Sequence, residues 1–112
     1  AMLTIRPEEI KKRANRILRK VKKHDIGENQ VIVQKTVSQT GGGAIPEYGL
    51  ASWAVQITPA RVSVNRFEQD MRKRDIPIVG RIENEHFLLD CRTLLDNDID
   101  PVSTAIIHYF RS

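Results

Sequence analysis

The stretch PIVGRIENEHFLLDCR, residues 77–92, decides the fold. Apolar and polar side chains alternate on both sides of Asn84-Glu85, as they do in two antiparallel strands joined by a turn. With the turn at that point, one face of the hairpin carries the pairs Ile82–Phe87, Gly80–Leu89 and Ile78–Cys91. The other face carries Val79, Arg81, Leu88 and Asp90. A hairpin with one apolar face predicts a sheet whose core lies on one side.

The turn of this hairpin contains one unfavourable residue. A tight two-residue turn between strands requires positive φ at both central positions, and Glu85 is poorly suited to that conformation. We therefore expect a bulge or a longer loop at Asn84-Glu85.

The rest of the sequence supplies further strands and helices around the hairpin. Valine-rich alternation predicts strands, and apolar residues recurring at helical spacing predict helices. The expected elements are strands at residues 30–38 and 51–58, and helices at residues 7–24, from the cap Ser63 to before Ile76, and from the cap Asp100 onwards. The order is a helix followed by β-β-α-β-β-α. It predicts an α+β fold, a mostly antiparallel sheet with helices on one face, preceded by a basic connector helix.

The first helix differs in character from the rest of the chain. Its narrow apolar stripe, formed by Ile10, Ala14, Ile17, Leu18 and Val21, needs a partner surface. We interpret residues 1–27 as a basic linker or docking helix and residues 28–112 as a small α+β domain.

Positive charge is concentrated in the same helix. The net charge is +4, and eight lysines and arginines fall between Lys11 and Lys23, so the positive charge belongs to this one segment. Such a segment suits contact with nucleic acid phosphates, although a solvated basic helix has the same composition.

Several functional classes are disfavoured by composition. No apolar run approaches the ~20 residues of a membrane span, so we expect no membrane partner. The single cysteine, Cys91, allows no internal disulfide and fits a cytoplasmic protein. His24, His86 and His108 show no spacing typical of a metal site, and no catalytic group of side chains stands out.

Two features remain as candidates for binding. Gly41–Gly43 lack the Lys-Ser/Thr pair of a phosphate-binding loop, so a shaped turn between two strands is favoured over a phosphate cradle. Arg81, beside Gly80 on the face away from the expected core, carries a planar fork that suits a carboxylate or phosphate. A cross-strand ion pair with Asp90 is the alternative for Arg81.

The segments GGGAIPEYGLASWAVQI (41–57) and IPIVGRIENEHFLLDCRTL (76–94) resemble the C-terminal domain of the bacterial L-seryl-tRNA(Sec) selenium transferases, or selenocysteine synthases. The family pattern has three glycines, a small residue, Leu or Ile, Pro, and then Leu-x-Ser-Trp-Ala. It continues with Pro-x-Ile/Val-Gly-Arg-Ile and Leu-Leu-Leu-Asp-x-Arg-Thr. The resemblance covers about residues 28–95. The departures are Phe87 in place of leucine, Cys91 in a variable position, and Glu85 where glycine is frequent.

The resemblance implies a piece of a fold-type-I pyridoxal-phosphate enzyme. Such an enzyme converts seryl-tRNA(Sec) to selenocysteinyl-tRNA(Sec) with selenophosphate, as a cytoplasmic homo-oligomer. The Schiff-base lysine is expected in a large domain outside this fragment, so no catalytic residue is expected here and the fragment alone should be inactive. Arg81 becomes a candidate for binding an anionic substrate group. The candidates for tRNA contact are Arg16, Arg19, Lys20 and Lys23.

Two alternatives to this function stay open at the level of sequence. A paralogous pyridoxal-phosphate-dependent sugar-acid ammonia-lyase shares the Gly-Gly-Gly and Gly-Arg-Ile patterns. An autonomous basic binding module would also account for the charge of the first helix.

Overall fold

The computed structural model describes residues 6–38 and 50–111. In this part of the chain, seven helices and strands alternate in the order α-β-β-α-β-β-α. Their bounds are α1 Pro7–Lys22, β1 Gln30–Ser38, β2 Leu50–Thr58, α2 Val64–Arg72, β3 Arg81–Glu83, β4 His86–Asp90 and α3 Ile99–Arg111. Two short 3-10 turns, Cys91–Thr93 and Asp96–Asp98, connect β4 to α3.

The four strands form one antiparallel sheet in the order β1-β2-β4-β3. Helix α2 connects β2 to β3, so the second hairpin returns with β4 beside β2 and β3 at the edge. Ser63 caps α2, because its hydroxyl oxygen accepts a hydrogen bond from the Arg66 amide at 3.1 Å. The α+β fold expected from the sequence is confirmed.

The hairpin of β3 and β4 has the expected register and an unexpected turn. Ile82 pairs with Phe87, and Arg81 pairs with Leu88. The expected bulge or longer loop is wrong: Asn84 and Glu85 form a two-residue turn with φ values of 51° and 65°. Strand β3 is also shorter than expected.

Residues 78–80 follow a different path from the one that the alternation predicts. The Ile78 amide donates a hydrogen bond to the Met71 carbonyl at 3.0 Å. This bond holds the segment against the end of α2 and outside the sheet, which begins at Arg81. Ile78 nevertheless lies in the core.

The core lies between one face of the sheet and the three helices. The sheet contributes Val31, Val55, Ile57, Phe87 and Leu89, and the helices contribute Ile10, Ala14, Ile17, Val21, Phe67, Met71, Ile99, Val102, Ala105 and Ile106. The ring of Phe67 packs at its centre, with ring centroids 5.1 Å from Phe87 and 4.9 Å from Tyr109. No helix packs on the opposite face of the sheet among the described residues.

Helix α1 belongs to this core. The four buried residues of its stripe, Ile10, Ala14, Ile17 and Val21, are 0% exposed. The partner surface that the stripe needs is provided within the chain, because the sheet and α3 cover it. The sequence of α1 alone does not indicate this packing, because the residues that cover the stripe lie far along the chain. The division at residue 27 into linker and small domain stays a prediction.

The connection between β1 and β2, with Gly41–Gly43, lies outside the described residues, so the interpretation of these glycines stays a prediction. In the described parts, none of the helices is long and apolar enough to cross a membrane.

Candidate binding sites on the open sheet face and on helix α1

The first candidate site is a polar cluster on the sheet face that no described helix covers. Arg81 is its centre. The guanidinium donates from Nε to Glu83 Oε2 at 2.5 Å and from Nη2 to Thr36 Oγ1 at 2.6 Å. Its Nη1 lies 4.0 Å from Asp90 Oδ2. The side chain is 26% exposed, so the cluster is partly open to solvent.

Asp90 connects Arg81 to strand β2. Its Oδ1 accepts hydrogen bonds from Ser52 Oγ at 2.5 Å and from the Arg92 amide at 2.9 Å. The Arg92 guanidinium donates to the Ala51 carbonyl. One carboxylate oxygen is thus held by β2 and by the 3-10 turn, while the other faces Arg81.

This geometry bears on both interpretations of Arg81, as an anion-binding residue and as the partner of Asp90 in a cross-strand ion pair. The expected neighbour Asp90 is close. The direct hydrogen-bond partners are Glu83, Thr36 and the Val37 carbonyl, which accepts from Nη2 at 3.4 Å. Since two carboxylates face one guanidinium, the cluster carries a net negative charge, which weakens it as an anion site. Among the described residues, Nη1 makes no hydrogen bond, so it is the guanidinium nitrogen with hydrogens to offer a ligand.

The space above Gly80 does not serve a ligand. A Cβ at this position would lie 2.4 Å from Cζ of Phe87 and 2.6 Å from the Leu88 carbonyl oxygen. The absence of a side chain therefore lets the Phe87 ring pack against the backbone. Packing against Phe87, rather than room for a ligand beside Arg81, accounts for glycine at this position.

The second candidate site is the charged surface of α1, and the structure divides its cations into two groups. The first group is held by acidic residues that precede or begin α3. Arg13 Nε and Arg16 Nη1 each lie 3.6 Å from Asp96 Oδ1, and Lys20 Nζ lies 2.7 Å from Asp100 Oδ1. The hydrogen bond from Lys20, with its charge, lowers the pKa of the Asp100 carboxyl. Two of the four tRNA candidates, Arg16 and Lys20, are thus ion-paired.

The second group points to solvent. Arg19 and Lys23 are exposed and form no ion pair with any described residue. Lys12, which was not among the candidates chosen from the sequence, is exposed in the same way. On a helix of 3.6 residues per turn, positions 12, 16, 19 and 23 share one face, opposite the buried stripe. We call Lys12, Arg16, Arg19 and Lys23 the outer basic face; it extends about 16 Å along the axis, at 1.5 Å per residue.

The described residues offer no fit to a covalently held cofactor. All seven lysines of the sequence lie in the described ranges, and six of them are exposed. The seventh, Lys20, is half-buried and paired with Asp100. A Schiff-base lysine requires a desolvated setting that lowers its pKa, and none of these positions provides one.

Cys91 and the residue types that bind metals are the remaining groups that could carry chemistry. Burial raises the pKa of the Cys91 thiol to about 12, and the nearby Asp90 carboxylate adds to the effect. The thiol stays protonated and donates to the Leu89 carbonyl at 3.6 Å, which makes it a structural residue. Within residues 6–38 and 50–111, no cluster of His, Cys, Asp and Glu could hold a metal ion.

The fold and these two surfaces define an α+β domain whose charged surfaces face outward and whose described residues enclose no reaction centre. Comparison with known proteins gives the family. Residues 1–95 match the family model described as L-seryl-tRNA selenium transferase, and the chain belongs to this family. The match corresponds to the C-terminal domain of these proteins.

Individual relatives agree with this assignment. The chain is 38% identical over 109 residues to the L-seryl-tRNA(Sec) selenium transferase of Desulfotalea psychrophila, covering 97% of this chain and 23% of that protein. It is 37% identical over 106 residues to that of Desulfomicrobium baculatum, with coverage of 95% and 23%. It is also 37% identical over 99 residues to that of Carboxydothermus hydrogenoformans, with coverage of 88% and 21%. The chain thus spans less than a quarter of the relatives' length.

Proposed function

We propose that the protein containing this domain converts seryl-tRNA(Sec) to selenocysteinyl-tRNA(Sec), with selenophosphate as the selenium donor and pyridoxal phosphate as cofactor. The observation that carries the proposal is the similarity, over nearly the whole chain, to proteins named L-seryl-tRNA(Sec) selenium transferase. When bound, pyridoxal phosphate supplies the electron sink for chemistry at the seryl group. Because no lysine described here fits its attachment, the cofactor belongs to the part of the protein outside this chain.

Within that enzyme, we assign the outer basic face of α1 to the tRNA backbone. Its four cations point away from the core on a helix whose buried stripe packs against the sheet and α3. A row of lysines and arginines complements the negative charge of a phosphate backbone. Arg19 and Lys23 are the strongest candidates because they form no ion pair with the described residues. Arg16 contributes less because it also faces Asp96. Lys20 would have to leave Asp100.

The salt dependence of tRNA binding tests this assignment. In the full-length protein, the double variant Arg19→Gln/Lys23→Gln removes two phosphate contacts, so we expect weaker binding and a slope of log K against log salt that is smaller by roughly 1 to 2. The matched control is Arg66→Gln/Arg72→Gln. It removes the same net charge from α2, where both arginines are exposed and pair with acidic residues one turn away.

The comparison of the two double variants decides the assignment. If the α1 variant and the α2 control change the slope equally, net charge alone is responsible and the outer basic face is merely solvated. A single Lys20→Gln variant should change the slope less than Lys23→Gln, since Lys20 Nζ is already paired at 2.7 Å.

Arg81 remains our candidate for an anionic group of the substrate. The support is limited to Nη1, which forms no hydrogen bond with the described residues although Asp90 Oδ2 lies 4.0 Å away, and to its position on the open sheet face. The ligand would be a phosphate, of selenophosphate or of the tRNA end, bound in the fork that a guanidinium presents.

The alternative functions make different demands on the same surfaces. A sugar-acid ammonia-lyase binds a small anion and has no use for the outer basic face, so its full-length protein would bind tRNA no better than the Arg19→Gln/Lys23→Gln variant. An autonomous basic module would need no further domain. We also propose that the enzyme is a cytoplasmic homo-oligomer. Sedimentation of the full-length protein tests its oligomeric state.

A further inference from the structure

A groove of about 920 Å³ lies between the segment that follows α2 and the start of α3. One wall is the segment Lys73–Val79 that follows α2, and the other is formed by Thr93-Leu94 and the first turns of α3. Ile78 and Leu89 contribute buried side chains to its lining. The groove is therefore continuous with the hydrophobic core.

The groove exposes large aliphatic side chains. Ile76 is 73% exposed and Val79 is 65% exposed, the two largest such fractions among the large apolar residues described. Both line the groove, with Pro77 and Pro101 beside them. Charged groups, including Lys73, Arg74 and Asp98, stand around them. An apolar centre with a polar rim is the anatomy of an interface between protein domains.

The length of the relatives indicates what occupies this groove. More than three quarters of each relative lies outside the region that matches this chain, and the match is to their C-terminal domain. The preceding polypeptide therefore enters through α1. Arg13, in the second turn of α1, donates to the carbonyl of Leu94 at 2.6 Å, and Leu94 lines the groove. The first helical residue, Pro7, lies only about 9 Å from Arg13 along the axis.

We propose that the groove receives an apolar segment of the preceding domain of the same polypeptide. The entering chain arrives beside the groove wall, so the docking partner is tethered and its effective concentration is high. An intrachain interface of modest size is then sufficient to fix the orientation of the two domains. The inference depends on the family assignment and on neither the tRNA assignment nor the role of Arg81.

Thiol labelling of the full-length protein tests this docking. Val79→Cys places a nearly isosteric thiol in the groove, and Val62→Cys places one in the loop before α2, outside the groove. Val62 is only 36% exposed in this domain, against 65% for Val79. The native Cys91 gives little background because burial raises the pKa of its thiol to about 12. Maleimide labelling at each position is followed by peptide mass spectrometry, and each rate is divided by the rate in urea.

We expect residue 79 to be protected about tenfold or more relative to residue 62, because labelling then requires the domains to separate. Ile76→Cys should be protected likewise, which covers the case that Val79→Cys disturbs folding. Equal protection at residues 79 and 62, or faster labelling at 79, would overturn the proposal. Protection that disappears on dilution would assign the groove to a second copy of the protein, which also contradicts it.

Discussion

Arg81 donates from Nη2 to Thr36 Oγ1 at 2.6 Å although two strands, β4 and β2, lie between theirs in the sheet. Neighbouring strands are about 4.8 Å apart, so a flat sheet would separate β3 and β1 by about 14 Å, farther than an arginine side chain reaches. The sheet must therefore coil so that its two edges approach each other over the open face. Arg81 joins these two edges, which is a structural role. A role in substrate binding would be a second role of the same side chain.

Substitutions of Arg81 and of Thr36 together separate a role in substrate binding from the structural role of joining the sheet edges. We predict that Arg81→Lys in the full-length enzyme lowers kcat/KM about tenfold, or 1.4 kcal/mol of transition-state stabilisation, because lysine keeps the charge and loses the fork. Thr36→Val removes the closer of the two acceptors on β1, since the Val37 carbonyl also accepts from Nη2, at 3.4 Å. It should lower stability by about 1 kcal/mol and leave kcat/KM nearly unchanged. Steady-state kinetics and urea unfolding measure the two quantities.

The pattern of losses identifies the role of Arg81. If Thr36→Val reduces kcat/KM as much as Arg81→Lys does, the arginine acts through the shape of the sheet and binds no substrate. The same conclusion follows if Arg81→Lys lowers stability and leaves kcat/KM intact.

The turn at Asn84-Glu85 gives a prediction about stability alone. Glu85 has a φ of 65°, a conformation that costs a residue with a Cβ about 1–2 kcal/mol and costs glycine nothing. Glycine loses more backbone entropy on folding, so we expect Glu85→Gly to stabilise the chain by a net of about 0.5–1 kcal/mol in urea unfolding. Glu85→Ala is the control, since it removes the carboxylate and keeps the strain. A gain in Glu85→Ala equal to that in Glu85→Gly would assign the effect to charge.

The sequence predicted the parts of the fold that depend on local alternation and failed where distant residues decide. The register of Ile82 with Phe87 follows from the alternation of apolar side chains, and a shift by one residue would have turned the whole face outward. The tight turn was missed because the strands on both sides impose positive φ on Glu85 against its own preference. Tertiary packing likewise removed Ile78 from the sheet, through its bond to Met71.

The candidate sites were foreseen in their residues and not in their contacts. Charge density alone singled out α1, but only the structure distinguishes Arg19 and Lys23 from Lys20, because Asp100 lies eighty residues further along the chain. Helical periodicity was the signal that could have added Lys12, which lies one turn before Arg16 on the outer face. For Arg81, the alternation of residues in the hairpin predicted Asp90 as a neighbour and did not predict Thr36. The coiling of the sheet, which brings Thr36 close, cannot be predicted from one pair of strands.

The pair Tyr109 and Asp70 makes stability depend on pH. Tyr109 Oη donates to Asp70 Oδ2 at 2.7 Å, and burial, together with this bond, raises the pKa of Tyr109 to about 12. An unfolded tyrosine loses its proton near pH 10. Between about pH 10 and 12 the unfolded chain therefore holds fewer protons than the folded chain, and stability falls as the pH rises. Below pH 10 the contribution of Tyr109 is fully present.

We predict that Tyr109→Phe flattens the loss of stability between about pH 10 and pH 12, measured by urea unfolding, because phenylalanine has no proton to lose over that range. Asp70→Asn should flatten it only in part. It removes the carboxylate but leaves the burial, which is the larger cause of the raised pKa of Tyr109. At the acid end, the hydrogen bond from Tyr109 lowers the pKa of Asp70, so the carboxylate stabilises the fold above its ordinary pKa and this stability is lost as the pH falls through the lowered value. An alkaline slope in Tyr109→Phe as steep as in the parent chain would show that groups other than Tyr109 cause the loss.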